Sequence, residues 1–242
     1  MPTTLPHRPE LTELLDAARP DATTLRANLR DIRAINRWLG WTAAMTREVA
    51  ATTRRLGLRD FSLLDVGTGS ADIPLALVGW ANRRGLALRV LAGDLRPAVL
   101  VAARAEVARQ HAQGRVGLLC FDAMRAPFPD GGIDVVTCSL TLHHFAPDEA
   151  VAALRELGRV AGRALIVSDL ERSRLGYLCA RLLALVLRNP MTHHDAPVSV
   201  LRAYTRGELA ALAHAAGLPG ARVVGRFPFR LVLSWSPPAR AS

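Results

Sequence analysis

The sequence predicts an α/β fold. It reads as a Rossmann-like, doubly wound sheet of seven strands with an antiparallel final strand, N-terminal helices and a helical insert after strand 5. Three observations lead there. An apolar run, Leu63-Leu64-Asp65-Val66, stops at the turn Gly67-Thr68-Gly69, and a helical pattern opens at Asp72. Strand and helix patterns then alternate, which calls for a parallel sheet with right-handed crossovers. The first three strands each end in a carboxylate, Asp65, Asp94 and Asp122, on the rim where open α/β sheets bind ligands.

Residues 1–8 read as unstructured, and from Pro9 to about Leu56 the pattern is helical. Leu25, Leu29, Ile32, Ile35 and Leu39 recur at steps of three and four, the stripe of one helix face. Asp21 and Thr23-Thr24 offer caps at its start, and Gly40 an end. Residues 1–56 are expected to form a helical cap, and 57–242 the main domain. Trp38 reads as packing. Asn36 and Arg37 read as solvated, unless the segment folds over the glycine turn and lets them reach a ligand's carboxylate.

Phe61–Val66 is the first strand and Ala71–Arg84 the helix after it. Leu88–Asp94 is the second strand, and Pro97 to His111 a helix with Pro tolerated in its first turn. Arg115–Phe121 is the third strand, followed by a turn-rich loop over 126–132. The β-branched run Ile133–Ser139 suits a central strand covered on both faces. Pro147 to Ala161 is a helix and Arg163–Asp169 the fifth strand. The rhythm then changes. Arg172 to Arg188 is an apolar helix, and residues 189–197, with Pro190 and Pro197, belong to a lid insert spanning about 171–204. Thr205-Arg206-Gly207-Glu208 is a capping-box start for a helix ended by Gly217. Arg222–Arg226 and Phe229–Trp235 form an antiparallel hairpin at a sheet edge, and the tail from Pro237 reads as loose.

Composition narrows the classes. Half of the 242 residues are hydrophobic, enough for one large domain or one with an appended cap. The formal charge is +10 and there is no lysine, so every cation is Arg. That excludes Schiff-base chemistry and the P-loop lysine. The arginines are scattered over helices rather than interleaved with aromatics, so no nucleic-acid partner is expected. Attraction to an anionic membrane or an acidic partner stays open. Cys120, Cys138 and Cys179 are too widely spaced for a zinc or disulfide pattern, and two of them, in strands, read as small buried hydrophobes. The start has no apolar core of a signal peptide, and Leu175–Leu187 falls short of the ~20 residues that cross a bilayer, so a cytoplasmic location is expected.

On these residues the chain resembles the class I S-adenosylmethionine-dependent methyltransferases. Residues 65–71 match that family's first motif, Asp94 its second, Asp122-Ala123 its third, and residues 128–136 its fourth, over about 60–235. Ala71 stands where many members have a third Gly. Leu140-Thr141-Leu142-His143-His144-Phe145 resembles the ubiquinone/menaquinone-biosynthesis type. Ile35–Gly40 and Val198–Thr205 are similar to methyltransferases associated with type III polyketide synthases, which act on phenolic or quinone-like lipids.

The resemblance implies S-adenosyl-L-methionine as cofactor and a small phenolic or quinone-like acceptor, with O-methylation favoured. Gly67, Thr68 and Gly69 would pack on the methionine part, with Asp65 balancing its ammonium. Asp94 would hold the ribose, Leu95 cover one adenine face, and Asp122 accept from the adenine amino group. Ala123, Ser139 and Arg37 complete the expected seat. A phenol, pKa about 10, needs its proton removed, and a His near 6.5 is the natural base. His143 and His144 follow the fourth strand, and His193 and His194, oriented by Asp195, are the second pair. Either pair serves equally as packing, capping or solvated residues, and no metal is expected. The helix over 175–187 packs in the core or lines a lipophilic, membrane-facing pocket. Three alternatives remain: C-methylation of a quinone precursor, an NAD-dependent oxidoreductase, and a non-catalytic cofactor-binding regulator.

Overall fold

Neighbouring apolar residues on each strand leave on opposite faces of the sheet, and the layers follow from that alternation. A computed structural model describes residues 5–7, 10–17, 21–186 and 189–238. The strands are β1 (Asp60–Val66), β2 (Ala87–Asp94), β3 (Val116–Cys120), β4 (Ile133–Ser139), β5 (Ala161–Leu170), β6 (Arg222–Arg226) and β7 (Arg230–Trp235). They form one seven-stranded sheet in the order β3-β2-β1-β4-β5-β7-β6. The first five strands pair in parallel, and β7 runs antiparallel to both β5 and β6. The fold class and the final hairpin therefore stand as the sequence predicts.

Leu63, Val135 and Ile166 face one side, where α3 (Trp41–Arg55), α4 (Asp72–Arg83) and α5 (Pro97–Arg109) bring Met45, Leu77 and Val107. Leu64, Val136 and Leu165 face the other. There α6 (Pro147–Val160) and α9 (Arg206–Ala215) bring Leu154, Leu157 and Leu209. A fully buried Leu contributes roughly 1.5–3 kcal/mol, so these doubly covered strands fix the rim that carries the site.

The N-terminal helices α1 (Leu14–Ala17) and α2 (Ala22–Trp38) lie over that rim. Asp21 caps α2 by accepting from Thr23 N and Thr24 N at 2.8 and 3.1 Å. Gly40 takes φ +73° between α2 and α3. Leu25 and Leu29 of the apolar stripe are buried with Val99 and Met191, whereas Ile32, Ile35 and Leu39 line a cavity. Thr205 and Glu208 make the predicted capping box.

Several expectations are corrected. Within the expected lid insert, residues 190–202 form a helix, α8 (Pro190–Arg202), packed beside α7 (Arg174–Val186). Asn189 caps it by accepting from Met191 N at 3.0 Å, and Pro190 occupies the first turn, where its missing N–H is no loss. Burial of Met191 and Val200 outweighs the interior Pro197. Trp38 is not packed but 79 % exposed, and Trp41 is the buried ring. Cys120 is exposed because β3 is an edge strand. Leu5–His7 are strapped down: Arg172 Nε donates to Leu5 O, and His7 Nε2 lies 2.8 Å from Arg202 O. The rest of 1–8, apart from residues 5–7, and the tail beyond 238 lie outside the described residues.

Candidate active site

The turn after β1 is shaped by contacts that leave no room for a side chain. Thr68 N donates to Gly93 O at 2.9 Å, splicing the turn to β2. Gly67 has φ +69°, and a Cβ there would stand 2.1 Å from Thr141 Oγ1, so only glycine fits. Gly69 has φ +54° and Ala71 φ +58°. Ala71, at the position of the family's third Gly, adopts the left-handed conformation at a cost of roughly 1 kcal/mol.

Asp65, Asp94 and Asp122 line one cavity of about 1480 Å³. Asp65 is fully buried and accepts from Thr68 Oγ1 at 2.8 Å and Thr137 Oγ1 at 2.7 Å. Burial, with Asp72 and Asp94 nearby, pushes its carboxyl up to about 7. Asp94 accepts from Gly69 N at 3.2 Å and Arg96 N at 3.1 Å, and burial raises it too. Asp122 accepts from Met124 N at 2.9 Å. Leu95, 64 % exposed, and Ala123 line the same hollow. So does Ser139, whose buried Oγ has no partner. Carboxylates held together at this burial repel one another unless a cation joins them. A ligand bearing an ammonium and a sulfonium fits that donor set.

The histidines that follow β4 line the same cavity. His143 is buried, with Nδ1 2.6 Å from Asp169 Oδ1 and Nε2 3.4 Å from Glu13 Oε1. Burial opposes a charged ring, but Asp169 and Glu13 outweigh it and hold His143 up at about 10. Glu13 is held down at about 2, where His144 and His143 overcome its burial. His143 is thus an imidazolium at neutral pH and a poor base, which corrects that part of the expectation. His144 differs. It lines the cavity with its side chain 21 % exposed, and Nδ1 sits 2.5 Å from Asp16 Oδ2. Glu13, His143 and His144 bring three possible metal-ligand atoms within 4.8 Å of one another among the described residues. The same three side chains, with Asp169, form an ion-pair network.

That network has a pH signature. His143 lies above its ordinary 6.5, so its contribution is complete below 6.5 and is lost as pH rises toward about 10. Glu13 lies below its ordinary 4.5, so its contribution is present above 4.5 and is lost as pH falls toward about 2. His143→Gln is expected to cost about 3–5 kcal/mol between those limits, as for one partner removed from a buried pair. Denaturant unfolding from pH 5 to 10 should show the two proteins converging as pH rises. A difference that stays constant to pH 10 contradicts a charged His143.

Three expected site residues lie elsewhere. Arg37 is exposed and off the cavity, because the face of α2 that meets it carries Asn36 instead. Asn36 donates to Asp72 Oδ2 at 3.3 Å, tying α2 to the start of α4. His193 and His194 point outward from α8 and do not line the cavity. Asp195 does contact His194 at 2.9 Å, but the same carboxylate caps α1 by accepting from Leu14 N and Leu15 N.

Four residues escaped the sequence: Glu13, Asp16, Asp169 and Arg202. Arg202 donates to His143 O at 3.0 Å, to His144 O at 2.5 Å and to Leu11 O, so one guanidinium binds the lid, the histidine turn and the N-terminal segment. Asp169 closes a predicted strand just as the other acids do, and that position was the one available signal.

The sheet order, with β7 antiparallel, and the acid-lined rim are those of a Rossmann-like, methyltransferase-type fold. A family described as "Methyltransferase domain" matches residues 63–163. The chain is 33 % identical over 129 residues to a demethylmenaquinone methyltransferase of Thermus thermophilus, covering 52 % of this chain and 54 % of that one. The chain spans about half the length of the curated relatives it matches. Its fold is similar to a SAM-dependent methyltransferase from Aquifex aeolicus, with a TM-score of 0.57 and 22 % identity over 79 % of this chain and 88 % of that one. It is also similar to a magnesium protoporphyrin IX methyltransferase from Synechocystis PCC 6803, solved with bound S-adenosylhomocysteine. There the TM-score is 0.57 and the identity 18 %, over 81 % of this chain and 83 % of that one.

Proposed function

We propose that this protein methylates the hydroxyl of a small, lipophilic phenolic or quinone-like acceptor, using S-adenosyl-L-methionine. One observation carries the reading: the three-acid seat opens, within one cavity, onto an apolar chamber that also holds His144 and Asp16. The cavity is larger than the roughly 300–1,000 Å³ common for one ligand, which leaves room for an acceptor beside the cofactor.

The bound cofactor supplies an electrophilic methyl on a sulfonium. The chain's work is to align and deprotonate. Asp94 and Asp122 hold the adenosyl end, and Asp65 faces the ammonium. Asp16 accepts from His144 Nδ1, which leaves Nε2 with a lone pair to take the acceptor's proton. Alignment alone supplies roughly 7–11 kcal/mol of the barrier. Residues 1–56 act as a cap that contributes Asp16 and Glu13, and about 171–204 as a lid over the chamber.

The acceptor enters across an apolar rim. Leu175, Leu178, Leu182 and Leu185 lie on one face of α7 with exposures between 53 % and 72 %. Leu182, Trp38 and Phe227 also line the cavity, so the rim is its mouth. No helix among the described residues is long and apolar enough to cross a membrane. With a formal charge of +10, this face suits the surface of an anionic bilayer. Free, exposed Cys120 and Cys179 suit a reducing, cytoplasmic location.

The test is incubation of the protein with isotope-labelled cofactor and resorcinols or hydroquinones of increasing alkyl length on anionic vesicles. The expected product is an aryl methyl ether, with long-chain acceptors turned over faster than short ones. Equal rates across chain length would remove the rim from the reading. The name of the Thermus relative favours a second reading, in which a quinone precursor is methylated on carbon. Product mass spectrometry separates the two. Binding of NAD in place of S-adenosylhomocysteine would end both.

A further inference from the structure

Arg230 is the largest fully buried side chain, 2 % exposed, and it opens β7 where that strand pairs with Leu170 at the end of β5. Its Nη2 donates to Leu39 O at 3.1 Å, and the guanidinium lies 4.2 Å from the centre of the Trp41 ring. Nε is buried without a partner. No carboxylate pairs with this guanidinium among the described residues. The charged group that acts on it is another cation, Arg47, which lines the same cavity. Burial and Arg47 push Arg230 down to about 10, so it remains charged at neutral pH.

A buried, unpaired guanidinium is costly, and buried charges in proteins are ordinarily paired. Arg230 faces the cavity, so the missing partner can arrive as a ligand. β7 stands three strands from β1, roughly 14 Å at about 4.8 Å per strand, so the guanidinium enters from the side away from Asp94. Around it are Trp41, Leu39 and Phe229, surfaces for an aromatic ring.

We propose that Arg230, supported by Arg47, is a carboxylate subsite, and that the preferred acceptor is an aromatic acid rather than a neutral phenol. A planar guanidinium fork matches a carboxylate in a way that the apolar surfaces around it cannot. The proposal deepens the methyl-transfer reading, but it is tested by binding, so its failure is distinct from failure of turnover.

The experiment is calorimetry on full-length protein loaded with S-adenosylhomocysteine, titrated with 2,4-dihydroxybenzoate and with resorcinol, which differ only in the carboxylate. The acid should bind about 10–100-fold tighter, as expected for hydrogen bonds to a charged group. Arg230→Met should abolish that preference, Arg230→Lys should keep part of it, and affinity for S-adenosylhomocysteine should stay within about threefold. Should Arg230→Met fail to fold, Arg47→Met should still reduce the preference by about 2–5-fold. The proposal is overturned by a wild type without the preference, or by substitutions that leave it unchanged. It is equally overturned if Arg230→Met loses affinity for S-adenosylhomocysteine, which would hand the guanidinium to the cofactor's own carboxylate.

Discussion

His144→Gln lowers kcat by about 10²–10⁴-fold on a phenolic acceptor, the range of a lost general base. KM for the cofactor should move much less, because the proposed adenosyl seat is built on Asp94 and Asp122 rather than on His144. Asp16→Asn should give a smaller loss of the same kind, since it disturbs only the orientation of the ring through the 2.5 Å contact at Nδ1. His194→Gln should leave the rate unchanged, because that side chain is exposed on α8 and off the cavity. The contrast between these substitutions is the informative measurement, taken as steady-state rates against pH. A His144→Gln protein that folds and turns over at the wild-type rate removes the acid–base step.

Asp94→Ala weakens binding of S-adenosylhomocysteine by at least ~100-fold, as read by calorimetry. In the proposed seat Asp94 accepts two hydrogen bonds from ribose hydroxyls, each contributing ~1.5–3 kcal/mol, and the substitution removes both. The same carboxylate also accepts from Gly69 N and Arg96 N, so its removal loosens the turn that the cofactor packs on. Asp94→Asn keeps an acceptor for those amides and should lose less. Affinity within threefold of wild type for both substitutions would place the cofactor somewhere other than this rim.

Much of this site was legible because its signals are short-range. Asp65, Asp94 and Asp122 each sit where an apolar run stops, and a parallel sheet must set its strand ends side by side. The glycine turn carries its own reason, a positive φ and the approach of Thr141. The hairpin of β6 and β7 and the capping box of α9 were equally local. The failures were of another kind. Arg37 and Asn36 are adjacent, and a small rotation of α2 decided that Asn36 meets Asp72 while Arg37 meets water. Trp38, at the end of α2, is exposed, while Trp41, at the start of α3, is buried. The two prolines near His193 and His194 gave no helical pattern to read, and burial of Met191 and Val200 makes the segment a helix.

The chain by itself determined a mainly parallel α/β sheet and its acid-edged rim, since each depends on a strand, its end and the next few residues, while the class of cofactor followed from the family those residues resemble. Only the tertiary structure decided how the two histidines are held. His144 meets Asp16 across 128 positions of sequence, and His143 is locked by Asp169 across 26 and by Glu13 of the N-terminal segment. The physical reason is that a side chain's proton affinity is set by the charges and burial around it. Those are assembled by packing between distant segments, which no local pattern of residues records.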